Sequence, residues 1–456
     1  MSDEYAFDDS EFAENAERAY EELLERIGEG SPQPRLEPTR RVVELLGDPQ
    51  RSYPIIHITG TNGKTSVARL IESILRAYGL RTGLATSPHL RRPNERIMID
   101  GEPISNRAFA ENWADVRPYI DLVDAELRES GEEPLTYFEC LTVLTFASFA
   151  DAPVDVAVVE VGMGGEWDST NVGDGQVAVF TPIALDHTQR LGATVQQIAR
   201  TKSGIIKPVA AVVSAAQSPE ALGELERATD LTESTLRVEG DAFALESSTV
   251  AVGGQVISVK GLAGEYRDLF LPLYGTHQGH NAALAIAAVE SFLGRGSQAL
   301  VGDVLEEGLA TVASPGRLQL VGTDPTVLVD AAHNPHGAQA LADALRTYFT
   351  FDEIVVVLGV LSDKDATGIV EALAPVASSF IATQSESDRA IPAADLADLI
   401  SRVAPDSALQ AFESLEFAVQ DARVWAAQAP RRAVLVTGSI TLIGEVLGLS
   451  EVEGWK

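Results

Sequence analysis

The sequence predicts an α/β fold in which helices cover both faces of a mostly parallel sheet. Two observations carry this prediction: short runs that are apolar on both faces, and helical patterns that separate these runs along the chain. With 45% apolar residues over 456 positions, the chain can bury the cores of two or three domains. The apolar runs read PIIHIT, VDVAVVEV, VAVFTPI, VAAVV, TVLVD, EIVVVLGV, SFIAT and AVLVT, and the helical patterns include residues 65–78, 138–149 and 280–292.

The order of these elements divides the chain into three parts. Residues 1–30 begin with an acidic tail and continue as a helical pattern that ends at GEGSPQPRLEP, where Gly and Pro interrupt it. Residues 31–313 carry the first βα series and, late in that part, alternating runs with glycine-rich turns that are typical of antiparallel strands. The turn-rich TVASPGRLQLVGTDP marks a boundary near Ser314, and a fresh βα series occupies residues 314–456.

Composition and charge exclude several classes of function. The formal net charge is −33, and an acidic surface repels phosphates, so no nucleic-acid partner is expected. No run approaches the ~18–20 apolar residues that span a bilayer, so no membrane partner is expected. The N-terminus lacks the basic start and apolar block of a signal peptide. The single Cys140 cannot form an internal disulfide, which fits a cytoplasmic protein.

The stretch HITGTNGKTS, residues 57–66, predicts a phosphate-binding loop, although the first glycine of the usual pattern G-x-x-x-x-G-K-[ST] is missing. The stretch lies between an apolar run and a helical pattern, where helix N–H groups and the helix dipole favour anions. Gly60 and Gly63 allow close backbone approach, Lys64 can neutralise phosphate charge, and the Thr65 hydroxyl can reach a magnesium ion. The alternative is an ordinary glycine-containing turn.

Polar groups follow two other apolar runs. Glu160 ends the run in VVEVGMGG, and Asp186 and His187 follow the run in TPIALDHT. Ligand-facing groups of α/β folds lie at such strand ends, so these residues and Thr65 can complete a magnesium site. Ser87, in the turn TSPHL, adds a hydroxyl. A solvated carboxylate and a structural Asp-His pair are the alternatives.

A dozen spaced stretches make the chain resemble the folylpolyglutamate synthase/dihydrofolate synthase family of the Mur ligase superfamily. They occur in family order over about residues 50–440, and in this family the missing glycine is normal. The resemblance implies a Mur ligase-like fold with an N-terminal P-loop-type ATPase domain and a smaller C-terminal Rossmann-like domain. The stretches are HITGTNGKTS, TSPHL with NERI, LTYFE, VEVGMGG, IALDHT, KSGIIKP, HQGHNAALA, SPGR, DAAHNPHG, LSDKD and VTGS.

The resemblance also implies site residues, which fall into three sets. Lys202, in RTKSG, matches a lysine that is carbamylated in this family and that would act with Lys64 and His187 in catalysis. The implied ATP-binding residues are Gly60, Thr61, Asn62, Gly63, Lys64, Thr65, Ser66, Asn281, Arg317 and Asp330. The implied magnesium ligands are Thr65, Ser87, Glu160, His187 and Lys202 as its carbamate. The implied lining of the pteroate pocket is Thr136, Tyr137, Phe138, Glu139, Trp167, Asp168 and Ser169.

These expectations describe an ATP-dependent carboxylate–amine ligase. It would add L-glutamate to 7,8-dihydropteroate and further glutamates to tetrahydrofolate, with ATP as a substrate and Mg²⁺ as cofactor. Because a carboxylate is a poor electrophile, transfer of the γ-phosphoryl group of ATP would first make an acyl phosphate that the amine attacks. A carbamate on Lys202 would supply an oxygen ligand that an ammonium cannot. The only expected partners are these small molecules, and a monomer is expected.

Two stretches depart from the family pattern. The family reads G-G-R-x-D-A-T-N where this chain has GGEWDSTN, so Glu166 replaces an arginine and Ser169 an alanine. The family reads E-K-A-G where this chain has TKSG, so Thr201 replaces a glutamate. The alternatives are therefore a divergent nucleotide-binding protein that has lost ligase turnover, or a Mur-type ligase for another carboxylate. Only ~50 residues precede the loop, which is too few for the first domain of a cell-wall ligase.

Overall fold

Two sheets of mostly parallel strands organise the chain in the computed structural model, which describes residues 12–29 and 31–455. Residues 1–11, most of the predicted acidic tail, therefore lie outside the described residues. The chain divides into two units. The first takes the described residues up to Ser247 together with Ser258–Leu269 and His280–Val312, and the second takes Ser248–Ile257, Phe270–Gly279 and the chain from Ala313 onward.

The first unit contains an eight-stranded sheet with the order β4-β3-β2-β5-β1-β6-β7-β8. Strands β2, β5, β1, β6, β7 and β8 are parallel to their neighbours, whereas β3 and β4 form an antiparallel edge. The strands are β1 Ile55–Thr59, β2 Thr82–Ala85, β3 Ile97–Ile99, β4 Glu102–Pro103, β5 Val156–Glu160, β6 Gly175–Phe180, β7 Ala211–Ser214 and β8 Thr235–Val238.

The middle of this sheet is buried on both faces. Every residue of β1 and of β5 is buried, which is the pattern of parallel strands covered by helices above and below. The register sets Ile58 beside Glu160, and Thr59 beside Phe180, so β5, β1 and β6 end at the same edge of the sheet. The helices between these strands and after them are α1 Ala13–Leu24, α2 Glu37–Leu45, α3 Lys64–Ala77, α4 Asn106–Ser130, α5 Tyr137–Asp151, α6 Thr188–Leu191, α7 Val195–Ser203, α8 Pro219–Thr232, α9 Thr276–Gly294 and α10 Gly302–Ala310.

The second unit is built around a six-stranded sheet with the order β12-β13-β17-β14-β15-β16, in which only β12 is antiparallel to its neighbour. A separate three-stranded sheet, with the order β11-β10-β9, has residues assigned to both units. The strands are β9 Ala244–Ala251, β10 Gly254–Lys260, β11 Glu265–Leu271, β12 Gln319–Thr323, β13 Thr326–Asp330, β14 Glu353–Leu358, β15 Ser379–Ala382, β16 Ala408–Ala411 and β17 Arg432–Thr437. The helices are α11 Pro335–Tyr348, α12 Ala366–Leu373, α13 Ala393–Val403, α14 Leu415–Ala426 and α15 Ile440–Val452.

The predicted α/β class is confirmed, and each of the eight apolar runs contributes a strand. The 25-residue helix α4 and the short strands β2, β3, β4, β8, β12 and β16 were not predicted, because short or partly polar strands carry a weak pattern. The longest segment of the second unit begins at Ala313. The unit also includes residues 248–257 and 270–279, which were predicted to belong to the part 31–313. Within residues 12–29 and 31–455, no helix is both long and apolar enough to cross a bilayer.

The core beneath β2 generates a stability prediction. The Phe149 side chain is fully buried, and its ring packs edge-on to Tyr53 and closely against the backbone of Gly83. We expect Phe149→Ala to lower the free energy of unfolding by ~3–5 kcal/mol, because it removes apolar contacts and leaves a cavity. Leu24→Ala is the matched control, since the Leu24 side chain is 56% exposed. Chemical denaturation would measure both, and a similar cost for the two variants would contradict this account of the core.

Candidate active site

The loop between β1 and α3 is shaped by two glycines with positive φ. Gly60 has φ 145° and Gly63 has φ 91°, conformations that residues with a Cβ rarely adopt. A Cβ at Gly60 would collide with the Thr181 hydroxyl, and one at Gly63 would lie 2.8 Å from the Asn281 amide oxygen. The backbone N–H of Thr61 donates to the carbonyl oxygen of Pro182 at 3.0 Å. The loop is therefore held in one conformation at the N-terminus of α3.

A carboxylate and a hydroxyl meet beside this loop. The Thr65 hydroxyl lies 3.0 Å from each carboxylate oxygen of Glu160, which ends the neighbouring strand β5. The backbone N–H of Ser87 donates to the same carboxylate at 3.4 Å. Lys64, the first residue of α3, places its ammonium group 3.3 Å from the carbonyl oxygen of Thr61. Cationic, anionic and hydroxyl groups thus converge at the edge where β1 and β5 end.

The donor set fits a magnesium ion that is shared with a nucleotide. Among residues 12–29 and 31–455, no group of three or more His, Cys, Asp or Glu side chains could hold a metal by itself. Magnesium in nucleotide sites commonly uses one or two carboxylates and completes its shell with phosphate oxygens and water. Glu160 with the Thr65 hydroxyl, next to Ser87, is such an incomplete oxygen set. His187 has a left-handed backbone, with φ 49°, and its Nε2 lies 3.8 Å from Asp186.

Lys202 is buried behind the same loop. Its ammonium group donates to the carbonyl oxygen of Gly60 at 2.8 Å, so α7 is tied to the first residue of the loop. Burial, and secondly the positive charge of Lys64, lower the pKa of Lys202 to about 7, while Asp186 and Asp168 oppose this shift. A substantial fraction of the amine is therefore neutral at physiological pH, and the neutral amine is the form that reacts with carbon dioxide.

Of the four residues predicted from LTYFE, Phe138 lines a cavity and the other three make structural contacts. Thr136 is the N-cap of α5, and Glu139 completes a capping box with it. The buried Glu139 carboxylate also pairs with Arg35 at 3.0 Å. Tyr137 is buried, with the Arg96 guanidinium 5.4 Å from its ring centre. The Phe138 ring lies in the wall of a cavity of about 20 Å³ that Ser87, Arg96, Glu160 and Thr170 also line.

The residues predicted from GGEWDSTN form a tightly bonded turn. Asp168 caps the 3₁₀ turn Ser169–Val172 and accepts from the backbone N–H of Met163 at 2.9 Å. Ser169 and Thr142 exchange a hydrogen bond of 2.7 Å between their hydroxyls. Trp167 packs, partly buried, against the apolar cluster beneath α7 and α8. Burial raises the pKa of Asp168, and hydrogen bonds from Met163, Thr170 and Gly162 oppose the shift.

The remaining residues that are predicted to contact the nucleotide belong to different units. Asn281, in α9, packs against Gly63 of the loop. Asp330 ends β13 in the second unit, where its two carboxylate oxygens accept from the backbone N–H groups of Leu318 and Ala332, at 2.7 and 2.8 Å. Burial raises the pKa of Asp330, and the nearby Arg317 charge opposes that shift. Asp330 therefore shapes the loop that carries Arg317.

Several residues around the site were not assigned a role from the sequence. Arg96, in NERI, is buried, donates to His89 Nδ1 at 2.7 Å and pairs with Glu29. Thr181, at the end of β6, packs against Gly60. Both lie in stretches that the resemblance covers, so their position was available. Their contact partners are distant in the sequence, so no local sequence pattern predicts these contacts.

The departures from the family pattern leave the turn intact. The Glu166 side chain is exposed, which supports an outward orientation. The backbone N–H of Glu166 donates to the carbonyl oxygen of Thr201 at 2.8 Å, and Asn171 donates to the Glu166 carbonyl at 3.0 Å. Both departing residues therefore contribute backbone groups to the turn.

Known proteins share this architecture. The Mur ligase middle domain family matches residues 58–289, just over half of the chain, and the Mur ligase, glutamate ligase domain family matches residues 316–440. A dihydrofolate synthase/folylpolyglutamate synthase of Mycobacterium tuberculosis is 44% identical over 438 residues, which cover 91% of this chain and 90% of that protein.

Solved structures agree with the sequence matches. Mycobacterium tuberculosis folylpolyglutamate synthase complexed with ADP superposes with a TM-score of 0.90 at 43% identity, covering 96% of this chain and 99% of that one. Escherichia coli FolC in complex with DHPP and ADP superposes with a TM-score of 0.83 at 29% identity, covering 96% and 98%. The chain belongs to the dihydrofolate synthase/folylpolyglutamate synthase family of Mur ligases.

Proposed function

We propose that this protein is an ATP-dependent ligase that joins L-glutamate to 7,8-dihydropteroate and adds further glutamates to tetrahydrofolate. The observation that carries the proposal is the meeting of the Gly60–Gly63 loop, Lys64 and the Thr65–Glu160 pair at one edge of the sheet. The ADP complex of the Mycobacterium tuberculosis protein and the DHPP–ADP complex of the Escherichia coli protein support a nucleotide and a small-molecule ligand in this fold.

The reaction needs an activated acyl group, because a carboxylate is a poor electrophile. The carboxylate of the pterin acid attacks the γ-phosphorus of ATP, the bond to the bridging oxygen of ADP breaks, and an acyl phosphate forms. The neutral amine of glutamate then attacks the acyl carbon, an amide forms, and inorganic phosphate leaves. Lys64 and the N–H groups at the start of α3 would hold the negative charge of the transferring group.

Magnesium is the cofactor that the oxygen set near the loop supports. Thr65, Ser87 and Glu160 would hold an ion together with the phosphates, and His187 and a carbamate on Lys202 would add ligands. When bound, the ion neutralises phosphate charge and orients the γ-phosphoryl group. The buried position of Lys202 and its pKa of about 7 support carbamylation, because the modification requires the neutral amine.

The pterin acid would bind near the cavity that Phe138 lines. Phe138 offers a ring for stacking, while Trp167, Asp168 and Ser169 form the turn on the neighbouring segment. Thr136, Tyr137 and Glu139 would act by fixing the start of α5, since their polar groups or rings are engaged in structural contacts. Asn281 would contact the nucleotide from α9, and Arg317 and Asp330 from the second unit.

The remaining attributes are a cytoplasmic location and a monomeric state. The thiol of the single Cys140 is buried, and its pKa is raised by burial, so it is inert toward oxidation and suits a reducing compartment. Two alternatives compete with the proposal: a nucleotide-binding protein without ligase turnover, and a ligase for another carboxylate.

A phosphate-release assay with ATP, glutamate and each pterin acid in turn tests the proposal, and Lys64→Ala sharpens it. We expect dihydropteroate and tetrahydrofolate each to stimulate glutamate-dependent phosphate release. Lys64→Ala should lower turnover by at least ~100-fold, because it removes positive charge from the transferring group. Lys260→Ala, which changes an exposed lysine of the same unit, should stay within about twofold of wild type.

The outcomes of this assay separate the alternatives. ATP binding without glutamate-dependent phosphate release would identify a protein that has lost turnover. Release only with a different acid would identify another substrate. Near-normal turnover of a folded Lys64→Ala variant would overturn the assignment of the loop to nucleotide.

Lys202 generates the second prediction of this site. Lys202→Ala should be nearly inactive, and a small added carboxylate such as acetate should restore part of the activity by replacing the carbamate oxygens. In wild type at a fixed concentration of dissolved carbon dioxide, activity should rise from pH 6 to pH 8, because the neutral amine accumulates above a pKa of about 7. Arg200→Ala, an exposed change on the same helix, is the control. Wild-type kinetics of Lys202→Ala would show that Lys202 has no catalytic role.

Glu166 generates the third prediction. Because its side chain is exposed, Glu166→Arg should change the Michaelis constant for the pterin acid by less than about threefold, as for other exposed charge changes. Glu226→Arg, at another exposed glutamate, is the control for the change of net charge. A large gain of turnover on restoring arginine at position 166 would instead indicate a weakened ligase.

A further inference from the structure

Three buried polar side chains connect the strand of the phosphate loop to the turn at Asp168. His57 lies in the middle of β1, two residues before its end, and is fully buried. Its Nε2 lies 2.9 Å from the Thr170 hydroxyl oxygen. That hydroxyl donates in turn to the carboxylate oxygen Oδ1 of Asp168. The contact spans the space between β1 and the 3₁₀ turn that Asp168 caps.

The direction of each hydrogen bond in this series is fixed by chemistry. An ionised carboxylate can only accept, so the hydroxyl proton of Thr170 points to Asp168. The Thr170 oxygen must then accept from His57, which places a proton on Nε2. Burial, and secondly the charge of Lys207, lower the pKa of His57 to about 3, which agrees with a neutral ring.

Placing a histidine at this buried position costs more free energy than placing an apolar side chain there. Its Nδ1 is buried and has no hydrogen-bond partner among the described residues, which costs free energy that an apolar side chain would avoid. The Cβ of His57 also packs 3.0 Å from where a Cβ at Gly175 would lie, so β6 carries a glycine beside it. What the imidazole supplies in return is one N–H donor, directed at Thr170.

The middle member of the series, Thr170, lines the cavity near the candidate pterin site. Asp168 also accepts from the backbone N–H groups of Met163 and Thr170, at 2.9 and 3.0 Å, so its carboxylate has a fixed orientation. Thr170 lines the same cavity as Phe138 and Glu160. The series therefore joins the strand that leads into the glycine loop, through the cavity-lining Thr170, to the Asp168 carboxylate.

We infer that His57 is a positioning residue, which acts through the Thr170 hydroxyl to hold the Asp168 carboxylate in the orientation that binds the pterin acid. The inference rests on the proposed function, in which Asp168 belongs to the pterin-acid site. His57 touches neither substrate. It donates to the Thr170 hydroxyl, which in turn donates to the carboxylate.

The test compares two replacements of His57. His57→Leu removes the donor together with the unpartnered Nδ1, and we expect the Michaelis constant for dihydropteroate to rise about tenfold while that for ATP stays within about twofold. His57→Gln places an amide N–H near the position of Nε2, and we expect it to restore the Michaelis constant for dihydropteroate to within about threefold of wild type. Thermal melts of both variants show whether each is folded.

A double-mutant cycle separates the hydrogen-bonded series from general packing. Thr170→Val should have the same effect as His57→Leu, and the double variant should be no worse than either single variant, because all three interrupt one series. Equal rises of both Michaelis constants in His57→Leu, additive effects in the double variant, or no rescue by a folded His57→Gln would each overturn the inference.

A third variant distinguishes failure of the inference from failure of the proposed function. Asp168→Asn should raise the Michaelis constant for dihydropteroate at least as much as His57→Leu does. If Asp168→Asn raises it and a folded His57→Leu does not, the positioning role of His57 is wrong and the pterin-acid site stands. If Asp168→Asn leaves it unchanged, Asp168 does not bind the pterin acid and both proposals for this turn fail.

Discussion

The parallel register of β5, β1 and β6 is the constraint on which the site depends. Because the three strands run in the same direction and end together, Glu160, the loop that begins at Gly60, and Thr181 arrive at one edge of the sheet. These three groups therefore reach the site directly from the ends of strands. The tight contact between Gly60 and Thr181 then limits the loop to one path, and α3 begins where that path ends.

The same edge concentrates buried charge, and each charged group there has an opposing contact. Lys202 is buried close to Lys64, which disfavours its ammonium form, yet it donates to the Gly60 carbonyl and lies near Asp186 and Asp168. Asp168 is buried but accepts from several N–H and O–H groups. The protein has a net charge of −33, and these local contacts hold the positive charges of Lys64 and Lys202 beside the loop. The position of each donor therefore affects the ionisation of its neighbours as well as the shape of the site.

The sequence predicted the parts of this arrangement that are local in the chain. The glycine loop between a strand and a helix, Glu160 at a strand end and the helix that begins at Lys64 all follow from spacing within one segment, and the structure has them where the pattern indicates. The partners that fix these groups could not be predicted in this way. His57 and Thr170 are 113 positions apart, Arg35 and Glu139 are 104 apart, and Arg96 and Glu29 are 67 apart. Such pairs depend on the packing of whole elements, and the residue types involved are common in either exposed or structural roles.

The two stretches that depart from the family pattern are held together by contacts of the backbone. Glu166 and Thr201 lie far apart in the sequence, yet they contact each other, through the backbone N–H of Glu166 and the carbonyl oxygen of Thr201. The close approach of these segments requires glycine beside them: a Cβ at Gly165 would lie 2.6 Å from the Lys202 carbonyl oxygen, and one at Gly204 would lie 2.5 Å from the Glu166 Cα. Both glycines are present, and the Glu166 and Thr201 side chains are bystanders to this backbone contact. The segment that carries Lys202 is therefore held against the GMGGEW turn by main-chain geometry, so an exposed side chain at position 166 can change sign without moving the lysine.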